Sequence, residues 1–339
     1  MPSARHHRAA ALTTGLVVIA AALACAAVLS LVVGSRAVPF GTVLEALANP
    51  GGTTRDELIV SEVRLPRTLI GLFAGAALGL AGTVVQGVTR NPLADPGILG
   101  VNFGASLFVV VAISVFGITS LTGYVWFGFL GAAAASALVY AVGSIGRGGA
   151  TPIKLALAGA AVSAALSSFT TAMLMLDVRA YDQFRFWQVG SLAGRGMDVV
   201  VQAVPFLLTG VLLALLSARA LNALALGDDV AVSFGQNVTA ARLLAATAIV
   251  LLCGTATAMA GPIAFVGLVI PHLARTVTGP DHRWLLPYAM LLAPLLLLIA
   301  DVLGRVLARP GEVQVGIVTA VIGAPVFVAL ARRRRLAEL

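Results

Sequence analysis

Apolar residues run through this chain in long blocks, separated by short clusters of charge, glycine and proline. A hydrocarbon core needs about 20 residues of α-helix to cross it, so each block reads as a membrane-spanning helix. Ten spans are predicted, at about 9–33, 66–88, 97–116, 122–144, 153–176, 199–220, 240–260, 263–278, 284–304 and 313–331. No charged residue occurs between Asp95 and Arg147. That run is too long for one span, so it is divided at the Gly, Ser and Thr cluster around Gly117 to Gly123. The eighth segment is short; Gly261-Pro262 precedes it and Pro271 interrupts it. Irregular backbone at membrane depth is tolerated where protein or a water-filled cavity covers it, which makes 261–272 a candidate lining element. Two long segments are not spans. Residues 34–63 read as an external loop with an amphipathic stretch from Phe40 to Ala48. Residues 221–239 read as an internal loop, with a short helix over 228–234 set by acids at its start and Gly235 at its end.

Composition agrees with the pattern. The chain is 59% hydrophobic and 11% charged, against about 25% charged residues in soluble domains. The first apolar stretch is long enough to span and lacks a convincing cleavage site, so it reads as a retained helix rather than a signal peptide. An even number of spans puts both termini on one side. Arg5, Arg8 and Arg332 to Arg335 mark that side as cytoplasmic by the positive-inside bias. The bias is modest, 13 basic residues against 9, so the external arginines need a reason of their own. The high pI is a membrane-topology signature, not a nucleic-acid footprint. Cys25 and Cys253 both lie in apolar runs and read as small core residues. Gly75, Gly79 and Gly82 fall on or near one helical face, where small residues let helices approach closely in lipid.

Candidate chemistry is sparse. The only lysine, Lys154, follows Thr-Pro-Ile rather than a glycine loop, so the chain has no P-loop for ATP. Intramembrane carboxylates, the usual mark of ion coupling, are nearly absent. Asp95 lies in a loop, and Asp301 is placed to pair with Arg305 one helical turn on. His272 and His282 are not at metal-ligand spacing, so no metal site and no catalytic residue is predicted. Arg64 and Arg67, spaced i,i+3 around Pro66, can both face outward from one helix end; Arg305 and Arg309 form a second external basic site. Two such sites suit two acidic patches on a soluble partner. Gln86, Asn91 and Asn102 are candidate path-lining polar groups, with helix–helix hydrogen bonding as the plainer role.

Several long motifs occur in order: RLPRTLIGLFAGAALGLAGTVVQGVTRNPLADPGILGVNFGAS at 64–106, KLALAGAAVS at 154–163, FWQVGSLAGR at 186–195, ALGDDVAVSFG at 225–235, AGPIAFVGLVIPHLAR at 260–275 and VGIVTAVIGAPVFVALARR at 315–333. With these the chain resembles the membrane permeases of binding-protein-dependent ABC importers for iron–siderophores, haem and vitamin B12, and leans to the ferric-siderophore members. The resemblance implies an all-α, ten-helix type II importer permease, a single transmembrane domain over 1–339. It implies a second permease subunit, identical or paralogous, two ATPase subunits that use ATP and magnesium, and one external binding protein. It implies no cofactor on this chain and a place in the cytoplasmic membrane. Gly227, Asp228, Asp229, Val230, Phe234 and Gly235 match the element that couples to the ATPase. Arg64, Arg67 and Arg305 match positions that meet the binding protein. Thr151, Pro152 and Ile153 match the cytoplasmic gate, where Pro152 alters the local chemistry. The rivals are a proton- or sodium-driven carrier, an intramembrane enzyme and a purely structural membrane subunit.

Overall fold

The computed structural model describes residues 2–34, 36–49, 51–52, 54–118, 120–146 and 151–332. The regular structure of the described residues is helical, with no strand among them. In chain order the helices are α1 (Pro2–Val32), α2 (Phe40–Ala48), α3 (Arg55–Leu58), α4 (Leu65–Thr89), α5 (Val101–Ser114), α6 (Leu121–Gly143), α7 (Pro152–Leu176) and α8 (Val178–Gln188). They continue as α9 (Met197–Leu216), α10 (Ala218–Ala225), α11 (Asp228–Ser233), α12 (Val238–Ala260), α13 (Val266–Thr278), α14 (His282–Leu307) and α15 (Val315–Arg332). Seven stretches among the described residues are long and apolar enough to cross a membrane, and α5 and α15 are shorter apolar helices. With α13, these account for the ten predicted segments.

The chain entering α4 differs from the expected loop. Residues 55–89 are one unbroken helical stretch. It opens on a capping box, in which Thr54 and Glu57 exchange hydrogen bonds, and passes through a π-helical turn, Ile59–Arg64. Pro66 therefore lies inside the stretch and not at its start. The wide turn closes with the Leu65 N–H on the Val60 carbonyl, which shifts the bonding register just before the residue that lacks a donor. Pro271 is likewise accommodated inside α13. The break falls earlier, where Gly261 at φ 74° and Phe265 at φ 68° bound an irregular segment.

The core is built on α4. Gly71, Gly75 and Gly79, one turn apart, face α14; a Cβ on them would overlap Leu298, the Pro294 backbone and the Ala289 carbonyl respectively. Gly82 turns instead to α13, where its added Cβ would run into the Gly267 carbonyl. The backbones thus touch without intervening side chains, which is how helices gain dispersion contact in lipid. Gly104 of α5 and Gly131 of α6 approach each other in the same way. On the other flank, the Tyr288 hydroxyl donates to the Leu12 carbonyl at 2.8 Å, tying α14 to α1. By contrast α7 and α1 leave most of their length exposed.

Gly82→Val should destabilise the fold by about 3 kcal/mol, the upper range for overpacking. Gly41→Ala should leave it unchanged, because nothing lies within 4 Å of an added Cβ there. Thermal unfolding of the two variants in detergent checks this.

Candidate functional site

Three places hold the residues of interest: one end of the bundle, its middle and the opposite end. At the first end, α1 stops at Val32 with carbonyls that lack helical partners. Two arginines, Arg64 and Arg305, supply those partners. Arg64 Nη1 donates to the carbonyls of Leu31 at 2.6 Å and Val32 at 2.8 Å, and Nη2 donates to that of Arg36. Arg305 Nη1 donates to those of Ser30 at 2.9 Å and Val33 at 2.8 Å. Its Nη2 reaches the Ser30 hydroxyl at 2.9 Å, which in turn bonds the Thr68 hydroxyl at 2.8 Å.

The charge is balanced close by. Asp301, completely buried, takes Arg67 at 2.8 Å and Arg305 at 3.0 Å. The remaining Arg67 nitrogen, Nη1, reaches the partly exposed Glu312 at 2.7 Å. The predicted Asp301–Arg305 pair is present, but the outward-facing arginines are not: Arg64, Arg67 and Arg305 are 5%, 6% and 3% exposed. The reason is local. Free helix-end carbonyls and a buried carboxylate sit within reach, and a guanidinium held by them loses less than one left half-solvated. The three still line a cavity of about 250 Å³ with Gly34, Val63 and Glu312.

The middle holds a larger cavity, about 690 Å³, between α5, α7, α8 and the irregular segment before α13. Asn102, Ser106, Ser167, Thr170, Thr171, Tyr181 and Gln188 supply its polar lining, and no Asp, Glu, Lys or Arg reaches it. Of the three predicted path-lining residues only Asn102 is here; its Oδ1 accepts from the Thr257 hydroxyl at 3.2 Å. Gln86 is buried elsewhere and donates to the Leu268 carbonyl at 3.2 Å. Asn91 caps an exposed turn, accepting from the Leu93 N–H at 2.9 Å. Gln86 thus bonds across to α13, the plainer role, while Asn91 closes its own turn. The lining element 261–272 contributes Pro262 and Ala264. The α7 hydroxyls were missed, although Ser167, Thr170, Thr171 and Leu174 recur at helical spacing in the sequence.

At the opposite end, α10 turns sharply into α11 through Gly227 at φ 108°, and Gly235 at φ 78° follows it. Both conformations favour glycine. Ala231 packs inward with Leu224 and Ala241. Asp228 is held by Arg242 at 2.8 Å and by Arg90. Asp229 is exposed, Val230 is 40% exposed and Phe234 is 75% exposed. An apolar knob thus projects from a helix anchored by an ion pair. Thr151 caps α7 by accepting from the Lys154 N–H at 3.4 Å, Pro152 opens that helix and Ile153 is exposed.

The FecCD transport family matches this chain over residues 21–333. The chain belongs to that family. It is 49% identical over 315 residues to the ferric enterobactin transport system permease protein FepD of Escherichia coli, covering 92% of this chain and 93% of that one. It is 43% identical over 304 residues to the probable siderophore transport system permease protein YfiZ of Bacillus subtilis, covering 90% and 91%. It is also similar to a solved inward-facing structure of a metal-chelate type ABC transporter, with a TM-score of 0.82, 30% identity, and 94% and 99% of the two chains covered. The FecCD chain is thus an all-α polytopic membrane protein, with its two loop ends held by separate charge clusters.

Removing Asp301 leaves two buried guanidinium groups without their shared counter-charge. Asp301→Asn should cost about 3–5 kcal/mol, the penalty for breaking a buried pair. Glu312→Gln at the partly exposed partner should cost less than about 1 kcal/mol. Equal losses in thermal stability would show that Asp301 is not the shared counter-charge.

Proposed function

We propose that this FecCD chain is the permease subunit of an ATP-driven importer that carries an iron–siderophore complex across the cytoplasmic membrane. The observation that carries the proposal is the central cavity of about 690 Å³, lined by hydroxyls and amides without a charged group. A bulky polar chelate needs a path wide enough to admit it. The path must also bind weakly enough to release it. Its similarity to permeases named for ferric enterobactin and siderophores supports that cargo class.

In this reading the chain is one transmembrane domain over 1–339, with both termini in the cytoplasm. A second permease subunit lies against the sparsely covered α7 and completes the path. One of two ATPase subunits seats Val230 and Phe234 in a cleft, and Asp228, fixed by Arg90 and Arg242, passes its motion to α10 and α12. Gly227, Asp229 and Gly235 set the shape of that element. Thr151, Pro152 and Ile153 stand at the cytoplasmic mouth as the gate. Residues 34–63 and the Arg64, Arg67 and Arg305 recess face outward and receive an acidic residue of the external binding protein. Because these arginines are already bonded, docking requires exchange of a carboxylate at the recess. Glu312 is the group that gives way.

Reconstitution with the ATPase and binding protein tests each part. Phe234→Asp should abolish ATP-driven ferric-siderophore uptake while leaving the binding protein docked. Thr171→Trp, which narrows the cavity, should slow uptake while ATP hydrolysis persists; uptake at the parental rate would remove the cavity from the path. Glu312→Gln should tighten capture of the binding protein in a surface-binding measurement, and weaker capture would contradict the exchange.

A further inference from the structure

A second recess, about 270 Å³, opens at the Asp228 end between α4, α10, α13 and α14. Gln86, Gly87, Arg90, Asn91, Arg275 and His282 line it. Two of these side chains carry buried polar atoms without a hydrogen-bond partner: Arg275 Nη1, a donor, and His282 Nε2. Leaving such atoms unpaired is unfavourable, and each needs an explanation.

The character of the histidine nitrogen follows from its neighbours. Asp281 is held down to about 2 by its hydrogen bond with Arg283, with further help from Asn222, so it is a carboxylate acceptor. Asn222 Nδ2 donates to it at 2.7 Å, which fixes the amide orientation. Asn222 Oδ1 then accepts from both the backbone N–H and Nδ1 of His282, each at 2.9 Å. The ring proton is therefore on Nδ1, and in the neutral ring Nε2 is an acceptor. His282 is 4% exposed. Beside it Gly87 keeps the wall open: a Cβ there would lie 2.7 Å from Nε2.

The recess thus offers an arginine with an unused donor, a second guanidinium from Arg90, and one buried acceptor. A carboxylate or a chloride can answer the arginines but has no proton for Nε2. Sulfate at neutral pH has none either. A phosphate carrying a proton answers both, its bare oxygens accepting from the guanidinium groups and its hydroxyl donating to the ring. We propose that this recess is a binding site for a protonated phosphate group, either free hydrogen phosphate or the monoester headgroup of a phosphatidic-acid-type lipid. Arg90 also holds Asp228, so a bound phosphate and α11 share one guanidinium, and occupancy bears directly on how firmly α11 is anchored. The site stands on the geometry of this end and is independent of the cargo assigned above.

The test uses the full-length protein in nanodiscs. In one arm the discs are zwitterionic and radiolabelled inorganic phosphate is titrated, with unlabelled phosphate or sulfate as competitor. In the other, discs contain phosphatidic acid and phosphatidylglycerol, and native mass spectrometry reads which lipid is retained. Saturable phosphate binding that sulfate displaces about tenfold less well identifies the free ion. Retention of phosphatidic acid over phosphatidylglycerol without free-phosphate binding identifies the lipid. In either arm Arg275→Gln should weaken binding about tenfold or more, the effect of losing a charged hydrogen-bond partner. Arg219→Gln, at an exposed position outside the recess, should not. His282→Phe removes the acceptor and should erase the preference for phosphate over sulfate. Equal displacement by sulfate in the parental protein, unchanged affinity in Arg275→Gln, or binding in neither arm would overturn the proposal. The parental selectivity decides the matter even where a variant does not fold.

Discussion

The structure depends on a buried carboxylate, Asp301, shared by two arginines at the end of a bundle whose walls are otherwise apolar. A lone guanidinium at that depth is unfavourable, and so is a lone carboxylate. Brought together with the open carbonyls of α1, they satisfy one another. One cluster thus ends α1, fixes the entry of α4 and holds the last turns of α14. Three helices far apart in sequence are locked at one end by groups that none of them could bury alone. Little of the positive charge there reaches solvent, and Glu312 stands at the boundary between the locked cluster and the surface.

Away from that lock the bundle holds together by close approach. The glycine face of α4 meets α14, Gly82 meets α13, and the backbones touch. Packing of this kind is dense on one side of the protein. The side of α7 is more open, and its exposed apolar face and hydroxyl row border the central cavity. The glycine contacts leave no room for a side chain between α4 and α14, while α7 packs on α5 and α6 and leaves its other face open.

The Asp228 end is built on a different principle. Its short helix is held by two arginines through one partly exposed aspartate, and Val230 and Val232 point outward. Exposed ion pairs of this sort are weak and exchange readily. Such pairs yield without stranding a buried charge, which suits the coupling role proposed for α11. Arg90 and Arg275 also face the adjacent recess, so the same small region joins helix anchoring to an unfilled hydrogen-bonding site.

The ten segments, the amphipathic helix Phe40–Ala48 and the short helix after Gly227 were legible in the sequence. Each depends on local period, on length against the bilayer, or on a glycine at a turn. The family resemblance was legible for the same reason, since its motifs are contiguous. The direction of the arginines was not. Arg67 and Asp301 are 234 positions apart, and i,i+3 spacing says which side chains share a helix face, not what that face meets. That Gln86 and Asn91 stand apart from the central cavity was not legible for the same reason, whereas the hydroxyl row on α7 was present in the pattern and overlooked. The sequence by itself determined that this chain crosses a membrane many times and where it turns, because apolar length and backbone hydrogen bonding are properties of a segment. Only the tertiary structure decided which charges are buried, which cavity is polar and which polar atoms lack partners. Those depend on groups brought together from distant parts of the chain.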